Sequence, residues 1–218
     1  MLNSLFLACS CPRSAALTTI PDASCIEHFG QVQKLAFQRT KDSTGAYNFL
    51  TDNIGVTDPA VKATWTALTG ASDDTKIVVS PILGNPENEA GELRTFGGGN
   101  QTPNGNPIIL GQEGGQFSAL FYQQTQNVIA AMKELKCEEI SVYFINENQQ
   151  IAGLTDDLSS PSTVRGFEIE KGTFFVGDKV FGGYEEADNN PIQFNMKPNW
   201  SDTFYVITPT DFNPLQEI

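Results

Sequence analysis

From Phe29 onward the apolar residues fall into short groups whose spacing changes between two and three-to-four, as expected of a chain that mixes many strands with a few helices. Over residues 31–39 the pattern is close to alternating. Val32, Leu35 and Phe37 do not share one phase, however, so the spacing predicts a strand that carries a kink. Residues 40–45 read as a turn. Thr57-Asp58-Pro59 predicts a helix start, because a Thr or Asp can accept from the free N–H groups of a first turn and proline is tolerated there. Val61, Trp65 and Leu68 give that helix one apolar stripe to about Leu68, and Thr69-Gly70 ends it. Lys76-Ile77-Val78-Val79-Ser80 predicts a further strand, closed by Pro81.

Residues 84–115 break this rhythm. They hold 9 of the 19 glycines and three prolines and are too poor in bulky side chains to make a core of their own. Two short strand-like runs nevertheless stand out, Gly91-Glu92-Leu93-Arg94-Thr95-Phe96 and Pro107-Ile108-Ile109-Leu110. They flank a turn that begins Gly97-Gly98-Gly99-Asn100 and runs on to Asn106. The arrangement predicts a long projecting β-hairpin with a flexible turn. A structureless loop of this length would be rare in a compact domain and would usually serve a partner, so on either reading the segment makes contact with something. The candidate contact residues are Glu92, Leu93, Arg94, Thr95, Phe96 and the turn's Gly97, Gly98, Gly99 and Asn100, with Pro107, Ile108 and Ile109 on the return strand. The three glycines do not read as a phosphate cradle: no Lys-Ser/Thr follows, no helix opens after them, and Glu87, Glu89 and Glu92 stand against Arg94.

Beyond this segment, residues 117–122 predict a strand, and Val128, Ile129, Met132 and Leu135 an amphipathic helix closed near Cys137. Residues 140–145 and 149–151 predict a hairpin around Asn146-Glu147-Asn148. The last third is rich in strand signals at residues 164–169, 173–176, 192–196 and 203–207. Ile192, Phe194 and Met196 alternate with Gln193 and Asn195, as in a strand dry on one face. Phe174-Phe175-Val176 is expected to be dry on both, and Pro198-Asn199-Trp200-Ser201-Asp202 to turn between the last two strands. The fold class that follows is mainly β (α+β). It is a β-sandwich or barrel of about eight to ten strands with one principal packed helix, a small second helix and the hairpin. No change in composition divides residues 1–218, so they are expected to form one domain, with 1–28 an N-terminal arm and 84–115 its glycine-rich excursion.

Composition narrows the chemistry. With 13 Lys+Arg against 26 Asp+Glu the formal charge is −13, which gives nucleic acid or an anionic bilayer no electrostatic reason to adhere. No apolar run approaches the roughly 18 residues of a spanning helix, so a soluble chain without a membrane partner is expected. A single His removes most triad, general-base and imidazole-metal schemes. Cys9, Cys11 and Cys25 with His28 could be drawn as a zinc site, although the C-x-C opening falls outside the usual spacing. Leu7-Ala8-Cys9 could be drawn as a lipoprotein signal, although residues 1–8 carry no Lys or Arg. The plainer reading is half-buried thiols in the arm. Adjacent acids at Asp73-Asp74, Glu138-Glu139, Asp156-Asp157 and Glu185-Glu186 could supply a glycosidase pair, and residues 185–190 a partial calcium loop, but adjacent acids diverge on a strand and the calcium spacing is incomplete. No catalytic residue, cofactor or metal is therefore expected, and the chain reads as no enzyme.

The order of these elements resembles the major tail tube proteins of long-tailed bacteriophages, which share a fold with the tube proteins of type VI secretion. Val78-Val79-Ser80-Pro81 with the hairpin between Gly91 and Gly111, and the ending Pro198-Asn199-Trp200-Ser201-Asp202 … Ile207-Thr208-Pro209-Thr210-Asp211-Phe212-Asn213, look like structural proteins of phages and prophages infecting Bacteroidetes. The resemblance implies a virion protein made in the bacterial cytoplasm. Its copies would form homo-hexameric rings that stack into a tube, with the hairpin and both terminal arms reaching the next ring and other tail or head-tail proteins as further partners. DNA would pass through without tight binding, and acidity along the bore would keep phosphates from adhering; acidity that merely maintains solubility is the equal alternative. The Cys-bearing arm has no counterpart in that pattern. Two other readings stay open: a head-tail ring, connector or head-decoration subunit, and a secreted or lipid-anchored β-sandwich binding module of a Bacteroidetes bacterium.

Overall fold

Strands in which apolar residues alternate build the middle of one sheet of this protein, and strands apolar at nearly every position build the centre of the other. The computed structural model describes residues 28–51, 58–158 and 161–218. In chain order the strands before the second of the two longer helices are β1 (Val32–Arg39), β2 (Leu50–Thr51), β3 (Ile77–Val79), β4 (Gly84–Glu89), β5 (Leu93–Phe96), β6 (Ile108–Gln112) and β7 (Gln116–Tyr122). After it come β8 (Ile140–Asn146), β9 (Ile151–Thr155), β10 (Thr163–Arg165), β11 (Phe167–Glu168), β12 (Phe175–Val176), β13 (Asn189–Asn195) and β14 (Phe204–Ile207). The helices are α1 (Lys62–Thr69), α2 (Gln126–Glu134) and the short α3 (Pro214–Glu217).

All pairings among the described residues are antiparallel. The small sheet runs β12-β13-β7-β4, and the large one β2-β10-β9-β8-β1-β3, with β11 also on β8 and β14 also on β9. In the small sheet Phe117, Ala119 and Phe121 of β7 and Ile192 and Phe194 of β13 are buried, while Gln193 between them is exposed. Register places Phe117 opposite Phe194, and their rings stack with centroids 5.0 Å apart. That face packs on Leu35 and Phe37 of β1 and Val142 and Phe144 of β8, closing a sandwich. Each large side chain fully buried here contributes about 1.5–3 kcal/mol.

The large sheet is dry on its second face as well, which is why every residue of β8 is buried. Tyr143 and Ile145, in the opposite phase to Val142 and Phe144, join a second cluster with Trp65 of α1 and Phe212 near the C-terminus. Trp65 meets Tyr143 edge-on at 5.6 Å and its indole N–H donates to the Pro59 carbonyl at 2.8 Å. The Tyr143 hydroxyl donates to Gln38 Oε1 at 3.1 Å, and burial pushes its ionisation far above the ordinary tyrosine range. The sandwich thus gains a third layer made of α1 and the C-terminal segment.

The β-rich α+β class expected from the pattern is the one observed. The strands are more numerous than eight to ten because extended runs are interrupted. Residues 163–168 split into β10, which pairs with β9, and β11, which pairs with β8, as those two strands diverge. Gly166 sits at the fork, where a Cβ would lie 2.9 Å from that of Ser141. The kink expected in β1 is a register shift between Val32 and Lys34. The two longer helices are of similar length, eight and nine residues, and cover different faces rather than one being principal.

Helix α1 opens at Lys62, later than Thr57-Asp58-Pro59 suggested. The Asp58 carboxylate accepts from Ala60 N, making a turn, and the helix's first N–H is met by Asp211 Oδ1 at 2.8 Å from across the molecule. Thr57 itself lies outside the described residues, as do Cys9, Cys11, Cys25 and all of the N-terminal arm up to residue 27. Phe175 corrects another expectation: it is 51% exposed, because β12 lies at the sheet's edge with only Phe174 and Val176 turned inward. The Pro198–Asp202 turn links strands of different sheets, not a hairpin, since β13 pairs with β7 and β14 with β9.

Candidate assembly interface

Residues 84–122 form one long β-excursion. At its root β4 pairs with β7, from Gly84 opposite Leu120 to Glu89 opposite Gln116; further out β5 pairs with β6 as a separate two-stranded ribbon. The return of the chain to the sheet depends on close backbone approach. A Cβ on Gly91 would lie 1.9 Å from the Glu113 carbonyl oxygen, and one on Gly114 would lie 1.8 Å from that of Met196. Only glycine fits at such distances. Arg94 Nε meets Glu113 Oε1 at 2.5 Å across the ribbon, beside the backbone bond from Glu113 N to the Glu92 carbonyl at 2.8 Å.

Every residue of β5 and β6 is exposed. Opposed residues of an antiparallel pair share a face and successive pairs alternate. Phe96 with Ile108 therefore lies on one face, and Thr95 with Ile109 on the other. Ile109 and Leu110 are 63% and 67% exposed. Leu110 occupies the register shift between the Thr95 and Arg94 pairs. The ribbon thus shows apolar side chains on both faces, with no sheet beneath it among the described residues.

Of the residues singled out in the sequence, Leu93, Arg94, Thr95 and Phe96 constitute β5, and Ile108 and Ile109 open β6 after Pro107. Glu92 stands at the ribbon's base. Gly97, Gly98, Gly99 and Asn100 lead into the tip, where two 3-10 turns, Gly99–Gln101 and Pro103–Gly105, make up the turn between the two strands. The tip is built around Thr102, whose buried hydroxyl accepts from Gly98 N at 3.2 Å and donates to the Asn106 carbonyl. Sequence reasoning placed Leu110 in the return strand but not among the contact residues, and it missed the strand β4, whose Gly84-Asn85-Pro86-Glu87-Asn88-Glu89 has no apolar period to betray it. It also left unmarked an apolar group at the other edge of the same sheet: Phe175, Val180, Phe181 and Tyr184. The only signal was the unusual Phe181-Gly182-Gly183-Tyr184, two aromatics around a glycine pair.

Three of the four acid pairs, Asp73-Asp74, Glu138-Glu139 and Asp156-Asp157, have members taken up in local structure. Arg39 donates to both Glu138 carboxylate oxygens at 3.0 Å and also holds Asp74, while Lys171 meets Glu139 at 2.7 Å. Asp156 accepts from the Ser162 hydroxyl at 2.6 Å and from the Ser162 and Thr163 amides. These bonds, the hydroxyl foremost, hold its carboxyl well below the usual aspartate range. Beside Arg39 lies a groove of about 440 Å³, and a wider concavity of about 1010 Å³ follows β14. Arg39 is already committed to carboxylates. Among the described residues no group of three or more His, Cys, Asp or Glu could hold a metal ion, and no helix is long and apolar enough to cross a membrane.

No family model matches the chain, and no curated protein does. A solved chain from the structure titled "Cryo-EM structure of the anti-feeding prophage (AFP) baseplate, 6-fold symmetrised" is similar at 10% identity, over 88% of this chain and 98% of that one. The TM-score is 0.30, too low for the likeness to carry an argument.

Proposed function

We propose that this protein is a structural subunit that assembles with copies of itself, and that it serves as a tail tube subunit of a long-tailed phage. Its homo-hexameric rings stack into a conduit through which DNA passes. The observation that carries the reading is the β5–β6 ribbon. A two-stranded hairpin alone gains little stability in water, and apolar side chains held out on both of its faces are a template for association. A built tip and glycine-tight root give such an element a definite shape before it meets a partner. The tube itself is supported by the resemblance in element order and end motifs, and the net charge of −13 suits a wall that does not retain DNA.

Negative-stain microscopy with sedimentation of the purified full-length chain tests this. Sixfold rings and filaments of stacked rings are the expected result. Rings that never stack would move the protein to a ring or connector role, and a lone particle at every concentration would remove the assembly reading altogether.

A further inference from the structure

The large sheet has an edge whose outward backbone groups lack a partner, and the described chain begins beside it. Among the described residues β14 pairs with β9 alone. Thr155 N donates to the Thr203 carbonyl at 3.0 Å, in the same register that sets Phe204 opposite Leu154. Hydrogen-bonded pairs alternate along an antiparallel ladder. Tyr205 and Ile207 therefore turn their N–H and C=O groups toward β9, and Phe204 and Val206 turn theirs away. The Phe204 N–H is taken by the Ser201 carbonyl at 3.2 Å. The Phe204 carbonyl and both backbone groups of Val206 face outward, with no backbone partner among the described residues. The strand Phe204-Tyr205-Val206-Ile207 carries no charge and no proline to ward off a further strand.

The concavity of about 1010 Å³ that follows this edge is walled by Phe204, Tyr205, Val206 and Leu158, and also by His28 and Phe29, the first two described residues. Phe29 is held there. Its ring meets Phe204 edge-on at 5.6 Å, and its carbonyl accepts from Asn146 Nδ2. The 27 residues that precede His28 therefore set out from the wall of the concavity. Within them Ala15-Ala16-Leu17-Thr18-Thr19-Ile20 is an uncharged run, strand-like in its Thr and Ile content and closed by Pro21. Six residues in a strand span about 20 Å, more than the four residues of β14. Residues 21–27 reach about 23 Å when extended, enough to lay the run along the edge. The nearer stretch 22–27 fits less well, because its Asp22 and Glu27 would meet a wall that already holds Asp202.

We propose that residues 15–20 of the N-terminal arm add to β14 of their own chain as a further strand, with the outward groups of Phe204 and Val206 as their main-chain partners. In strand addition of this kind the backbone bonds give the affinity and the side chains of one phase fill the adjoining hollow. A short tether gives an effective concentration of about millimolar, so the chain's own arm prevails over that of a second copy at lower protein concentrations. The inference stands apart from the self-assembly reading above.

Hydrogen exchange at single amides of the full-length chain, over a series of protein concentrations, tests the proposal. The Val206 amide is the reporter, and the Tyr205 and Ile207 amides, which face β9, are the controls. All three are expected to exchange slowly in wild type at every concentration. Thr18→Pro with Thr19→Pro removes one donor from each phase of the run. That variant should exchange at Val206 faster by about tenfold or more, while Tyr205 and Ile207 keep their protection. If the controls lose protection too, nuclear Overhauser contacts in wild type between the Val206 N–H and the backbone of residues 15–20 decide without a variant: present, they support the pairing, and absent, they end it. Val206 exchanging in wild type like an unstructured amide, or staying protected in the proline variant, would overturn the proposal. Protection that appears only as concentration rises would overturn it as well, by giving the edge to a strand of a second copy.

Discussion

Phe194 shows how much one side chain holds. It stacks on Phe117, meets Phe174 at 6.2 Å and Phe37 at 6.4 Å, and so joins the two sheets at their centre. Phe194→Ala is expected to cost about 3–5 kcal/mol in a denaturant titration, and Phe194→Asp, which buries an unpaired charge, should leave no folded protein in the same measurement. At the surface, Asp156 sets a pH dependence. Its folded-state value is depressed, so the stability it contributes is fully present above the ordinary aspartate value of 3.8 and is lost as pH falls below that toward the depressed value. Ser162→Ala removes the main cause. The Asp156 carboxyl should then titrate closer to the ordinary value by NMR, and acid unfolding should begin at a higher pH than in wild type. Alternation made the inward side of Phe194 legible in the sequence. It could not do so for Phe175, because an apolar triplet looks the same in a central strand as at an edge.

At the scale of elements the ribbon is separable from the body. Deleting Glu92 through Ile109 removes β5, the tip and the start of β6 but leaves Gly114 and Gly115 at the return to the sheet and every residue of β7. The shortened chain is expected to be a folded monomer whose melting temperature stays within a few degrees of wild type, with no rings or filaments in the microscope; an unfolded product would show that the ribbon belongs to the core. The hairpin was readable from two apolar runs around a glycine turn. Its outward extension of the β4–β7 pair was not, since polar edge strands such as β4 bury too little to impose a period on their residues. Helix α1 gives the same lesson in reverse. Its stripe of Val61, Trp65 and Leu68 was plain, but its start was set by Asp211, a residue about 150 positions away that local pattern cannot reach.

Across the whole molecule, the C-terminal segment closes the second face of the large sheet. Phe212 is buried with Trp65, Asp211 meets the first N–H of α1, and Lys34 Nζ donates to the Ile218 carbonyl at 2.9 Å. Truncation before Thr210 is expected to lower stability by about 2–4 kcal/mol, from the lost burial and the lost cap. A larger exposed apolar face should appear as increased binding of a hydrophobic dye, and unchanged stability would show that α1 is held without this layer. The amino-acid sequence by itself determined the class, the strand-rich order, the inward face of β13, and the presence of an apolar hairpin, because each follows from short-range periodicity and glycine chemistry. Only the tertiary structure decided which strands share a sheet, that β8 is dry on both sides, and that the ribbon and the Phe175–Phe181 patch stand at opposite edges of one sheet. Those facts depend on contacts between residues distant in the chain, and no local pattern of side chains encodes where a distant strand will pack.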